Sequence, residues 1–188
     1  MYYILRFKVQ NNDYYAEKPD IGKLAAPILF NGIRYNIPDL QISLSGTGGT
    51  LSDYIGNPFG LDIVSQEIKD FFVEFGKDFV ECYPVTVKRK TDKKFWFIHV
   101  LDNLDCFDFE KSLYEELSPG TKIMKTIDRL ALKQECTNGR HFFRVKDFRF
   151  VVVVSEAFKQ AAESKNIEIM EFTPIADFTY EAGRLNSF

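Results

Sequence analysis

One pattern occurs twice in this chain, and it limits the folds open to it. Leu61-Asp62-Ile63-Val64 reads as a strand entry. Ser65 follows, a side chain able to accept from free backbone N–H groups at a helix start. Glu67 sits in the first turn, where the helix dipole favours an anion. Ile68, Phe71, Phe72 and Phe75 recur at i, i+3, i+4 and i+7, which is one apolar stripe of a helix. Gly76 suits the helix end, and residues 79–87 read as a strand. The same order returns at an offset of 90 residues. Residues 148–154 are a β-branched strand, Ser155 stands at the cap, and Phe158, Ala161 and Ala162 mark the helix. Residues 167–174 are again a strand. Residues 64–85 align with 154–175 without a gap, with Val64/Val154, Ser65/Ser155, Lys69/Lys159, Glu81/Glu171 and Pro84/Pro174 identical. Five identities in 22 positions exceed the roughly one or two that average composition yields. The pattern predicts an α+β fold: a mixed, mostly antiparallel sheet carrying two equivalent capped helices, built from two related halves.

The rest of the chain is read around these units. Residues 2–9 alternate like an opening strand. Residues 1–60 are otherwise irregular, with Pro19, Pro27, Pro38 and Pro58 and the turn-like Ser45-Gly46-Thr47-Gly48-Gly49-Thr50. Short apolar runs at Ile28-Leu29-Phe30 and at residues 40–44 are candidate brief strands or covering segments. Residues 88–94 form a charged turn between the strand at 79–87 and a second strand at 95–101, an antiparallel hairpin. Residues 102–147 are an acidic connection with a short helix expected at 126–132 and a strand at 142–145. Residues 148–175 hold the second unit, and residues 176–188 form a tail expected to fray. The layout predicts one domain over residues 1–188, with the first unit and its hairpin at 61–101.

Composition bounds the chemistry. The apolar fraction is 45% and the aromatic fraction 15%, enough for a sizeable core. A net charge of −3 argues against a nucleic-acid binder that lives on phosphate contacts. Three cysteines, Cys82, Cys106 and Cys136, are an odd count at wide spacing. They signal neither a zinc ribbon nor a disulfide framework, and a reducing cytoplasm is their expected home. Arg6 and Lys8 break the apolar start, so neither a secretory leader nor a membrane span is expected.

Catalytic groupings are thin. His99 falls inside an aromatic strand and His141 at a turn, so both read as core or surface residues. Gly46-Thr47-Gly48-Gly49 lacks the Gly-Lys-Ser/Thr entry of a phosphate loop and reads as a flexible turn. Asp102, Asp105, Asp108 and Glu110 fit no calcium-loop spacing. No cofactor or metal is expected, although a small metal-dependent enzyme using those acids stands as the rival reading, with a structural interaction module as a second.

Several segments together resemble a known family. They are Asp62-Ile63-Val64-Ser65 with its helix and strand, Trp96-Phe97-Ile98-His99-Val100-Leu101-Asp102-Asn103-Leu104-Asp105-Cys106-Phe107-Asp108, and His141-Phe142-Phe143-Arg144-Val145-Lys146-Asp147-Phe148. Val153-Val154-Ser155-Glu156-Ala157-Phe158-Lys159 and Ile167-Glu168-Ile169-Met170-Glu171-Phe172 complete the set. In order and spacing, over roughly residues 60–175, the chain is similar to bacterial immunity proteins of the Imm-eleven type. The resemblance implies an antidote that protects a bacterium from a toxin injected by its own kind, acting by binding and not by turnover. It carries over no functional residues. The implied partner is a cognate secreted toxin domain encoded beside the gene, with neither nucleic acid nor membrane as a partner; self-association is left open. Residues 102–116 hold Asp102, Asp105, Asp108, Glu110, Glu115 and Glu116 against one Lys111, a local sum of −5. Such a surface would steer and cover a basic toxin site, so these six acids are the candidate partner-binding residues. The opposite run at residues 88–94 sums to +4 and reads as a solubilising hairpin tip.

Overall fold

The computed structural model describes residues 1–17, 20, 32–35 and 42–182. The candidate strands at Ile28-Leu29-Phe30 and at residues 40–41, with Pro19, Pro27 and Pro38, lie outside the described residues. In chain order the strands and helices are β1 (Tyr2–Phe7), β2 (Tyr15–Ala16), β3 (Ile42–Leu44), β4 (Gly46–Thr47), β5 (Ile63–Ser65), α1 (Gln66–Gly76), β6 (Val80–Val87) and β7 (Phe95–Val100). Then follow β8 (Asn103–Leu104), β9 (Leu113–Glu116), β10 (Met124–Arg129), β11 (Phe142–Val145), β12 (Phe148–Ser155), α2 (Glu156–Ser164), β13 (Met170–Pro174) and β14 (Tyr180–Glu181). The fold is α+β with mixed, mostly antiparallel sheets, as the sequence predicts. The parallel strand pairs are β3 with β6 and β8 with β11. The chain divides into two compact units, Lys8–Leu101 and Met1–Phe7 with Asp102–Phe188.

In the unit of residues 8–101, a four-stranded sheet runs β3-β6-β7-β5. Strand alternation sends Ile63, Tyr83, Phe95 and Phe97 into a core shared with Tyr14 and Ile55. The stripe predicted for α1 is buried at Ile68, Phe71 and Phe72, and the helix packs on β5, β6 and β7. The predicted hairpin is antiparallel, with Glu81 opposite His99 and Pro84 opposite Trp96. The glycine segment is corrected: it is a close backbone approach, not a loose turn. Gly46 pairs with Ala16, and a Cβ there would stand 1.9 Å from the Tyr15 carbonyl oxygen. Gly48, at φ +112°, would place one 2.2 Å from the Asp13 oxygen.

The other unit holds a five-stranded sheet, β13-β1-β12-β11-β8, and a three-stranded sheet, β14-β10-β9. The Val151–Val154 run is buried throughout, because β12 is covered on both faces. Val151 and Val153 join Ile4, Phe107, Ile127, Phe148 and Phe178 in one core. Phe142 meets Phe158 of α2 with ring centroids 6.1 Å apart.

Three further expectations are corrected. Residues 126–132 are not a helix: β10 covers most of them and pairs with β9 and β14. The tail does not fray through residue 181, since Phe178 and Tyr180 are buried and Tyr180 lies opposite Ile127. Ser65 stands at the helix start but its hydroxyl makes no cap bond, whereas Ser155 Oγ accepts from the Phe158 amide at 3.2 Å.

The pairings around the two helices correspond. Trp96 of β7 lies opposite Val64 on one side and Pro84 on the other. Tyr3 of β1 lies opposite Val154 and Pro174 in the same way. The Gln66 Oε1 accepts from Trp96 Nε1 at 2.7 Å, and Lys69 sits 5.0 Å above that ring. Tyr3 donates to Glu156 Oε2 at 2.6 Å, and Lys159 sits 5.4 Å above its ring.

Candidate interaction surface

The six acids singled out by the sequence fall into three settings. Asp102 and Asp105 belong to a staple beside β8. Arg140 Nε donates to Asp102, and Lys133 Nζ lies 2.6 Å from Asp105 Oδ1. Beside these rungs Cys106 and Cys136 form a disulfide, with Cα atoms 5.3 Å apart. The disulfide overturns the expectation drawn from cysteine spacing: the pair is distant in sequence, and the fold brings it together. The Lys133 amide also donates to the Cys106 carbonyl at 2.8 Å.

Asp108 shapes the next turn. Its Oδ1 accepts from the Glu110 and Lys111 amides at 3.2 and 3.1 Å, and Lys111 Nζ stands 3.3 Å away. Glu110 itself is exposed. Glu115 and Glu116 lie on the β9–β10 hairpin. Glu115 pairs with Lys125 at 2.9 Å, and Glu116 Oε2 accepts from the Gly120 amide. Four of the six acids therefore face a cation of this chain, and the patch is far closer to neutral than its sequence sum.

The ionisation of these groups follows their partners. The Lys133 ammonium holds the Asp105 carboxyl below its ordinary range, and Asp105 in turn raises Lys133. Burial pushes Asp108 up, but the amide and ammonium of Lys111 bring it below the ordinary value. Glu115 raises Lys125.

The hairpin also presents what the sequence reading missed. Among the described residues β9 lies at the edge of its sheet and pairs with β10 alone. Alternation turns Tyr114 inward, 5.5 Å from Phe107 and 5.7 Å from Phe109 by ring centroid. The same alternation turns Leu113, Glu115 and Leu117 outward. Leu113 is 54% exposed, Leu117 60% and Ile123 55%. The Leu117 amide donates to the Ile123 carbonyl at 2.7 Å, so those two side chains sit side by side at the tip. Leu113, Leu117 and Ile123 flank the Glu115–Lys125 pair: an apolar face with a self-neutralised centre. The available signal was Leu113 and Leu117 four apart in a strand-like stretch, but that spacing also describes one face of a helix.

The two histidines and the basic turn have partners within the chain. His99 is buried, stacks on Tyr35 at 4.5 Å, and lies with Nε2 2.9 Å from the Ile33 carbonyl, to which it donates. His141 Nδ1 lies 3.0 Å from Ser155 Oγ. In the basic turn Arg89 donates to the Gly48 and Gly49 carbonyls, and Lys93 pairs with Asp53. Lys88, Lys90 and Lys94 are exposed there. Among the described residues no three His, Cys, Asp or Glu side chains are grouped to hold a metal. No helix among them is long and apolar enough to cross a membrane.

A family model described as an immunity protein family, Imm11, matches residues 8–177, most of the chain. No curated protein matches it.

Proposed function

Because the chain belongs to the Imm11 immunity protein family, we propose that it binds a cognate bacterial toxin domain and neutralises it by covering the active site or a substrate surface. The family match over residues 8–177 is the observation that carries this reading. The action is stoichiometric: one folded surface occludes another, and no bond of the toxin is changed. The partner belongs to a polymorphic toxin system, is encoded beside this gene, and is met in the cytoplasm.

The β9–β10 hairpin is the proposed centre of the contact. Exposed Leu113, Leu117 and Ile123 supply apolar area, and a desolvated apolar centre is where binding energy concentrates. The Glu115–Lys125 pair lies among these apolar side chains, and Glu110 and Glu116, with Asp108, form the polar rim. Asp102 and Asp105 act at one remove, through the staple they make with Arg140 and Lys133. This ordering replaces charge steering as the main source of affinity, because paired acids project little field.

A stable complex should bury on the order of 1,600 Å² and bind in the nanomolar range. Co-purification of the chain with the toxin domain encoded beside it, and rescue of cells expressing that domain, test the proposal. Rescue with a stable one-to-one complex is expected. A toxin that kills despite abundant antidote, with no complex on the column, would refute it.

A further inference from the structure

The disulfide sits at the neck of the loop that carries the proposed contact. Cys106 and Cys136 are separated by 30 residues, and β9 and β10 both lie between them. Around the neck the disulfide is joined by the half-buried Arg140–Asp102 pair and by Ser112, whose Oγ donates to the Ala131 carbonyl and accepts from the Ala131 amide; the remaining ties are lighter. Lys133–Asp105 is exposed on both sides, at 45% and 63%, and exposed ion pairs add little. The backbone ties are the Lys133 amide to Cys106 and the Asp108 amide to Ala131, with an isolated bridge between Phe107 and Leu132.

We infer that Cys106–Cys136 is a redox clamp. Oxidised, it holds the hairpin base in the shape that meets the toxin; reduced, it lets the neck open and weakens the contact. The inference rests on the reading of the hairpin as the toxin-binding face. In a cytoplasm kept reducing, a protein disulfide is a conditional bond, characteristically transient and redox-sensing.

The burial asymmetry sets the chemistry. Cys106 is fully buried beside Phe107 in the core, and Cys136 is half-buried at its margin. Cys136 is therefore the sulfur that an outside reagent meets. On oxidation by a small-molecule disulfide RSSR, the Cys136 thiolate attacks one sulfur and releases RS⁻. Cys106 then attacks the Cys136 sulfur and expels the second RS⁻. Two cysteine thiols and one RSSR thus give one protein disulfide and two RSH, the thiol protons passing to the leaving groups. Reduction runs the same steps backwards, with attack at Cys136 and Cys106 as the leaving group. A thiolate in an apolar site is disfavoured, so this release is slow unless the neck opens. The free Cys82 does not compete. It lies in the other compact unit, and burial pushes its thiol up to about 11.

The test uses the full chain carrying Cys82→Ala, equilibrated against oxidised or reduced glutathione, with alkylation and mass measurement to count thiols. No free thiol is expected in the first case and two in the second. Hydrogen exchange then reads the neck without any toxin present. On reduction, protection of the Lys133 and Asp108 amides is expected to fall at least tenfold, with Val153 in β12 unchanged. Affinity for the toxin domain is expected to fall tenfold or more, and Cys106→Ser with Cys136→Ser should reproduce the reduced state. Two free thiols after full oxidation, unchanged neck exchange, or equal toxin affinity in both states would each overturn the clamp. A chain that binds no toxin in either state, while the neck opens on reduction, would instead sink the binding proposal above.

Discussion

Two serines at the same place in two similar segments do different work. Ser155 caps α2 through the Phe158 amide and touches His141. Ser65 is buried, and among the described residues its hydroxyl has no hydrogen-bond partner. Replacing a capping serine by alanine costs about 1 kcal/mol, whereas removing an unsatisfied buried hydroxyl is close to neutral. Urea unfolding should therefore show Ser155→Ala destabilised by roughly 1 kcal/mol relative to Ser65→Ala. The sequence marked both sites as caps because it shows the residue type and not the hydroxyl's direction. Acid sensitivity belongs at this scale too. Lys133 depresses Asp105, and the Tyr3 hydroxyl depresses Glu156. A carboxyl lowered on folding adds stability that is present above its unfolded value and lost as pH falls through its folded one. Melting temperature should hold from neutral pH down to about 4 and then drop. Asp105→Asn should shallow that drop, and thermal melts across the acid range check it. Lysines 133, 125 and 159 are raised, so their share of stability is present below the ordinary lysine value and fades only in strong alkali.

At the level of elements, the strands and helices that carry large apolar side chains were the legible ones. α1, α2, β6, β7, β11 and β12 all lie where hydrophobic spacing puts them, because each buries a continuous face. β10 was misread because Ile127 and Leu130 stand three apart, a helical spacing, while its pairing with β9 shifts register twice and breaks strict alternation. β14 was missed because two residues carry no period at all; its place is fixed by Tyr180 packing 4.8 Å from Phe148. The matched central strands invite a direct comparison. Trp96→Phe removes the hydrogen bond to Gln66 and keeps most of the packing, so a loss of about 1 kcal/mol is expected. Tyr3→Phe should also destabilise, and it should further release Glu156 towards its ordinary acidity, which an NMR titration of that carboxyl would follow.

For the whole molecule, the electrostatic picture changed most between sequence and structure. A formal sum over residues 102–116 treats every charge as free, but Lys125, Lys133 and Arg140 come from outside that segment and fold onto its acids. Long-range pairing of this kind is invisible to a local count, and so was the disulfide. The apolar tip of the hairpin stays exposed. Leu113→Asp, Leu117→Asp and Ile123→Asp should each leave unfolding free energy within roughly 0.5 kcal/mol, as surface changes do. Removing any of them should weaken the toxin complex tenfold or more if the hairpin is the contact, whereas Lys90→Glu on the basic turn should not. The most direct test of the central claim is a calorimetric titration of the oxidised chain into the toxin domain encoded beside its gene, with the toxin's own activity followed in the same samples. A saturable one-to-one heat with nanomolar affinity, and inhibition that ends at equivalence, is predicted. Inhibition by trace amounts of the chain, with the toxin left chemically altered, would contradict it.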